Sequence, residues 1–188
     1  MTKKQAVLGM APDRLERACI DLGLKRFVAV QVCDWLYKKQ AASFEDMTNI
    51  SKTNRVLLSE QFEVNPFKEV EVLNSKEQAV KYLFQLKTGA KIEAVVLKEK
   101  TYNTLCISSQ SGCPVDCKFC LTGVVGFKGQ LSAAEIVAQL WRVNQDGHNI
   151  SRIVFMGMGE PLLNYDNVMQ AIEWITSEKG FGISKRKI

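Results

Sequence analysis

Cys113, Cys117 and Cys120 stand in the run Gly112-Cys-Pro-Val-Asp-Cys-Lys-Phe-Cys120, a C-x3-C-x2-C spacing that gathers three sulfur donors on one short segment. Three thiolates can hold three irons of a 4Fe-4S cube, whereas an electron-carrying cluster ordinarily takes four. The fourth iron is then open, and an open coordination position is what a metal centre needs in order to meet a substrate or cofactor. The amino and carboxylate groups of S-adenosylmethionine could chelate that iron and set the sulfonium beside the cube. One electron would then cleave an S–C bond to a 5'-deoxyadenosyl radical. Zinc is a competing reading, but it needs a fourth nitrogen or sulfur ligand, and the single histidine, His148, lies at the far end of the next predicted helix. Disulfides suit a secreted framework, and three of the six cysteines crowded into eight positions behind no signal region fit a reducing cytoplasm better.

A second candidate loop is Met156-Gly-Met-Gly-Glu-Pro-Leu-Leu163. Gly157 and Gly159 would let the backbone approach a ligand closely, and Glu160 offers a carboxylate for the ammonium of S-adenosylmethionine. Alone, a Gly-x-Gly turn after a strand is a common structural corner. It gains meaning from the cysteine triplet on the neighbouring predicted strand.

These loops must be carried by a scaffold, and the texture of the chain changes three times along its length. Up to about residue 65 the pattern is helical. Pro12, Leu15, Ala18, Cys19 and Leu22 with Gly23 beyond predict a first helix; Phe27, Val30, Cys33, Leu36 and Tyr37 a second; Val56, Leu57 and Phe62, after Ser51-Lys-Thr-Asn, a third. Cys19 and Cys33 read as core thiols on these apolar faces. From 66 to 103 the period is two. Val70–Leu73, Val80–Leu86 and Lys91–Leu97 predict an antiparallel meander with turns at Asn74-Ser-Lys-Glu77 and Lys87-Thr-Gly-Ala90. From 104 to 188 strands and helices alternate. Thr104–Ser109 and Ile150–Phe155 are strands; Ser132-Ala-Ala-Glu135 is a capping-box opening for a helix that stops at Gly147; Val168, Ile172 and Ile175 mark another ending by Gly180. The expected fold is therefore α/β: a small helical domain, a meander, then the first units of a parallel (βα) barrel, whose sites collect at the carboxyl ends of the strands.

At 188 residues and 46% hydrophobic, the chain can bury a core, and no apolar stretch approaches the roughly 20 residues that span a bilayer. A net charge of +5 suits a polyanionic partner such as RNA without demanding one.

The wording around the motifs resembles the radical S-adenosylmethionine enzymes, and within them the RlmN/Cfr group of RNA adenine methyltransferases. The matching stretches are Thr104-Leu-Cys-Ile-Ser-Ser-Gln-Ser-Gly-Cys113, Cys117-Lys-Phe-Cys120 with Thr122-Gly123 and Gly126-Phe127, Gly157-Met-Gly-Glu-Pro-Leu-Leu-Asn164, and Asp46-Met-Thr-Asn-Ile-Ser-Lys52. The resemblance implies that Cys113, Cys117 and Cys120 ligate a 4Fe-4S cluster and that Gly159 and Glu160 bind S-adenosylmethionine, with Phe119 near its adenine. It implies a proton acceptor at Glu93 and, at Cys106, a thiol that resolves a covalent enzyme–RNA intermediate through a disulfide. By their residues alone these are a strand carboxylate and an ordinary strand cysteine. The implied reaction methylates carbon 2 of an adenine in large-subunit ribosomal RNA and transfer RNA. It would run in the cytoplasm, in a monomer supplied by a flavodoxin-type electron donor.

Two departures stand out. The group's usual Gly-Phe-x-Arg-Asn-Leu reads Gly126-Phe-Lys-Gly-Gln-Leu131 here, without the arginine. No cysteine follows Cys120 to carry a methyl group, and the sequence stops where a third barrel strand is expected, so the chain reads as the N-terminal half or a truncated form. A different radical S-adenosylmethionine enzyme and a non-catalytic RNA-binding remnant remain as alternatives.

Overall fold

The computed structural model describes residues 4–74, 79–115 and 117–188. The N-terminal unit holds α1 (Pro12–Asp21), α2 (Phe27–Cys33), which tightens into a π-helical turn over Asp34–Lys38, and α3 (Lys52–Gln61). Pro12 starts α1, where its missing N–H costs nothing, and the Ser51 side chain caps α3 by accepting from the Asn54 N–H at 3.3 Å. Leu15, Cys19, Val28, Val32, Leu36 and Leu58 are buried. Helical periodicity points Phe27, Val30 and Val56 inward as well, yet Val30 is 68% exposed and the other two are also solvent-facing. The apolar stripe on these short helices is therefore wider than the surface that packs against it. Phe62 leaves the third helix and pairs in a two-residue parallel ladder, Gln5–Ala6 against Phe62–Glu63.

A single five-stranded sheet follows in spatial order: β1 (Phe67–Asn74), β2 (Ala79–Leu86), β3 (Lys91–Lys98), β4 (Asn103–Cys106) and β5 (Ile150–Val154). The first three pairings are antiparallel and β4–β5 is parallel, so the meander runs directly into the βα part. The expected turn at Asn74–Glu77 lies outside the described residues beyond Asn74. The strand expected over Thr104–Ser109 ends at Cys106, for reasons that belong to the site.

The two faces of the sheet differ. Val80, Tyr82, Phe84, Ile92, Ala94, Val96, Leu105 and Ile153 are buried, whereas Lys81, Leu83, Glu93, Val95 and Cys106 on the other face are half-exposed. The buried face shares one core with α5 (Ala133–Gln145) and α6 (Tyr165–Thr176). Helix α5 begins with the expected capping box, Glu135 accepting from the Ser132 N–H at 2.8 Å and Ser132 from the Glu135 N–H at 3.3 Å. The helical unit is bonded to this core: Tyr37 stacks on Trp174 at 4.5 Å, and Gln170 Nε2 donates to the Gly9 carbonyl at 2.7 Å. Among the described residues no helix is long and apolar enough to cross a membrane.

Candidate cofactor-binding site

Parallel strands present their carboxyl ends together, and here β4 and β5 release the two chemically suggestive loops side by side. Past Cys106 the chain leaves regular pairing because it serves two neighbours at once. Ile107 N–H donates to the Val154 carbonyl (3.0 Å) and its carbonyl accepts from Gly157 (3.1 Å), while the N–H groups of Ser109 and Gln110 share the Met158 carbonyl. On the other side Gln110–Ser111 pairs with Gly129–Gln130. The segment 107–111 is thus wedged between the glycine loop and the return of the cysteine loop.

That return pins the cysteine loop at its base. Gly112 sits at φ +73°, and a Cβ there would lie 1.7 Å from the Gly126 carbonyl oxygen, so the two ends touch where only glycine fits. Between them stand Cys113, Cys117 and Cys120, then the short helix α4 (Leu121–Val125). All six cysteines are free; Cys117 is exposed, Cys113 and Cys120 half-buried. Hydrogen bonds with the Thr122 side chain, then its backbone, hold the Cys120 thiol below its ordinary pKa. Phe119 is 94% exposed, Leu121 82% and Val124 83%, an outward apolar set on a short stretch.

The wedge is locked by side-chain amides. Gln139 on α5 accepts from the Ser108 N–H and donates to the Ser108 carbonyl, both at 2.9 Å. Asn164 Nδ2 donates to the carbonyls of Ser109 and Leu131, both at 2.7 Å. Ser108 Oγ donates to the Glu93 carbonyl at 2.6 Å and accepts from the Met158 N–H at 2.8 Å, joining β3 to the glycine loop. Gln110 accepts from the Glu160 N–H at 2.8 Å. Ser108, Ser109, Gln110, Gln139 and Asn164 are all buried, so each unmade bond would carry the full desolvation cost of a polar group. None of these positions stands out by sequence spacing, because their partners lie 31, 50 and 55 residues away.

Glu160 is half-buried and caps the 3-10 turn Pro161–Asn164, with Oε1 accepting from the Leu162 N–H at 2.9 Å. Gly159 at φ +100° packs so closely on Gln110 that a Cβ would lie 2.5 Å from the Gln110 Cβ. Glu93 and Cys106 share the open face of the sheet: Cys106 pairs with Val95, and Glu93 is two residues along β3. Glu93 forms an ion pair with Lys81 at 2.6 Å, both side chains 41% exposed. Burial pushes the Cys106 thiol up, against a backbone hydrogen bond at Met156 that lowers it.

These residues suit an iron–sulfur cube. Among the described residues no three His, Cys, Asp or Glu side chains converge on one point as a single ion requires. A cube asks for something different, three soft thiolates each on its own iron, and a base-pinned loop whose three thiols are free of disulfides offers that. His148 belongs elsewhere. It packs edge-on against Tyr82 and precedes Ile150, at the amino ends of the strands whose carboxyl ends carry the cysteines.

Comparison with known proteins agrees with this geometry. Residues 5–64 match the profile of the ribosomal RNA large subunit methyltransferase N-terminal domain, and residues 107–186 match that of the radical SAM superfamily. The chain is 45% identical over 178 residues to the probable dual-specificity RNA methyltransferase RlmN of Aquifex aeolicus (strain VF5), an overlap of 94% of this chain and 51% of that protein. It is 40% identical over 198 residues to the dual-specificity RNA methyltransferase RlmN of Alcanivorax borkumensis (strain ATCC 700651 / DSM 11573 / NCIMB 13689 / SK2), covering 100% of this chain and 52% of that one. The crystal structure of a radical SAM methyltransferase from Sphaerobacter thermophilus superposes with a TM-score of 0.92 at 32% identity, over 98% of this chain and 55% of that chain. The chain spans about half the length of the curated relatives it matches. A radical SAM segment implies S-adenosylmethionine and a 4Fe-4S cluster as cofactors.

Proposed function

We infer the function of this chain from its membership of the RlmN family of radical S-adenosylmethionine proteins, to which its two matched segments and its curated relatives assign it. We propose that it supplies the cluster- and cofactor-binding part of an enzyme methylating carbon 2 of adenine in large-subunit ribosomal RNA and transfer RNA. One observation carries this reading: two loops leave the carboxyl ends of adjacent parallel strands, one with three free thiols, the other with Gly159 and Glu160.

Cys113, Cys117 and Cys120 would hold the cluster, and Glu160, its carboxylate oriented by the Leu162 N–H, would meet the ammonium of S-adenosylmethionine. When bound and reduced by a flavodoxin-type donor, the cluster would supply the electron that splits S-adenosylmethionine, chemistry that no side chain can perform. Phe119 would lie against the adenine of the cofactor. On the open face of the sheet, Glu93 would take the proton from carbon 2 and the Cys106 thiol would release the product. The helical unit, residues 1–65, would face the RNA. A monomer in the cytoplasm completes the reading.

Anaerobic reconstitution followed by iron, sulfide and EPR analysis tests it, with about four irons and matching sulfide per chain expected. Glu160→Ala should keep the iron and weaken S-adenosylmethionine binding about tenfold to a hundredfold, the loss of one charge-assisted hydrogen bond. Zinc without sulfide, or unchanged affinity in that variant, rules the assignment out.

A further inference from the structure

Gln110 is fully buried, and its side chain sits beneath the turn that presents Glu160. The amides at this point have a single satisfied arrangement. The Glu160 N–H can only donate, so Gln110 must offer it oxygen, at 2.8 Å. The Leu163 carbonyl can only accept, so Gln130 must offer it nitrogen, at 2.7 Å. What remains is the Gln110 Nε2 facing the Gln130 Oε1 at 2.9 Å, a donor against an acceptor. The relay therefore grips both ends of the turn, Glu160 in front and Leu163 behind. Gly159 completes the grip, since its α-carbon rests on the Gln110 side chain too closely for a Cβ to intervene. Backbone position is set by Gln110, and carboxylate direction by the Leu162 N–H.

We propose that Gln110 is a positioning residue that fixes the Gly159–Glu160 turn for ligand binding, with Gln130 as its outer support. The ligand class is the one assigned above, a cofactor bearing an ammonium group, so the proposal rests on that reading of Glu160. Gln110 is buried beneath the turn, so its role is to hold the turn and not to meet the ligand. Its effect would reach affinity through the turn, because a carboxylate held in the productive orientation loses less freedom on binding than one that must be ordered.

The two claims separate experimentally, because exchange of the Glu160 backbone amide with deuterium needs no cofactor. Gln110→Met keeps the volume and removes the amide. It should speed exchange at Glu160 about tenfold, the loss of one buried hydrogen bond. In the reconstituted protein it should weaken S-adenosylmethionine binding by a similar factor, with iron and sulfide content unchanged. Gln130 is exposed, so Gln130→Met folds irrespective of the core, and it should give about threefold in each readout. Unchanged exchange at Glu160 in Gln110→Met overturns the proposal whatever the affinity does. Faster exchange with unchanged affinity also overturns it, since the turn then binds as well without the hold of Gln110; the assignment of Glu160 to the cofactor is judged separately, by the affinity of Glu160→Ala. If Gln110→Met does not fold, Gln130→Met decides: no change in exchange there overturns the proposal.

Discussion

The two loops at the carboxyl ends of β4 and β5 are built on opposite principles. The glycine loop and the wedge beneath it are bound on every side by buried amides and hydroxyls: Gln139, Asn164, Ser108 and Gln110. The cysteine loop is pinned at its base, by Gly112 against Gly126 and Lys128 N–H on the Ser111 carbonyl, while Cys117, Phe119, Leu121 and Val124 are exposed and Cys113 and Cys120 half-buried. A buried polar network confers one geometry without help, because every defection leaves an orphaned group. The contrast teaches that the turn proposed to meet the cofactor is held by a buried network of the chain itself, whereas the segment proposed to hold the cluster presents its side chains largely to solvent.

The largest effect should come from removing any one thiol of the loop. Cys113→Ser, Cys117→Ser or Cys120→Ser should abolish iron and sulfide binding on reconstitution, yet leave thermal unfolding of the metal-free chain unchanged, since none of the three belongs to the core. A variant that still bound a full complement of iron would break the comparison on the cysteine side; a marked fall in apo stability would show that the loop, too, is part of the fold.

Next come the glycines. Gly159→Ala meets both a left-handed backbone and a Gln110 Cβ at 2.5 Å. The two costs together suggest about 3 kcal/mol or more in urea unfolding. Gly126, on the other loop, has φ +73° and ψ 159°, a backbone conformation kept almost entirely for glycine, but open space where a Cβ would go, so Gly126→Ala should carry the backbone cost alone, about 1 to 3 kcal/mol. Equal costs would erase the distinction between the loops. Asn164→Ala strips hydrogen bonds from two carbonyls, those of Ser109 and Leu131, and should cost about 2 to 3 kcal/mol with no change in iron content.

The same contrast explains what was legible in the sequence. Local signals survived translation into structure: the C-x3-C-x2-C spacing, Pro12 at a helix start, the Ser132/Glu135 box, the alternation in β2 and β3. Each is a contract between residues a few positions apart. The lock on the cradle was illegible, since a buried Gln139 looks like any helix glutamine until the Ser108 backbone is brought against it. Periodicity also overreached at Val30 and Phe27, where apolar spacing is present without a partner to cover it. At Cys106 strand propensity lost to a competing demand, as the residues that follow must bond to two loops at once.

The smallest effect concerns the cysteines that are not in the loop. Cys19 and Cys33 are held in the helical unit, where burial, aided by Glu16 for Cys19 and by Cys19 for Cys33, pushes both thiols up to about 11. A thiol whose pKa is higher folded than unfolded keeps its proton longer in the native state, so the stabilisation is complete below an unfolded value of about 8.5 and drains away as pH rises towards 11. Buried tyrosines such as Tyr37 shift in the same direction and deepen the fall. Replacing both thiols, Cys19→Ala with Cys33→Ala, should cost stability at neutral pH through lost packing but flatten the alkaline limb between pH 8 and pH 11. Urea midpoints measured across that range in wild type and the double variant give the comparison directly. Parallel curves would mean that the core thiols sit in surroundings no drier than those of the outward-facing loop, and the contrast between the two sets of cysteines would fall.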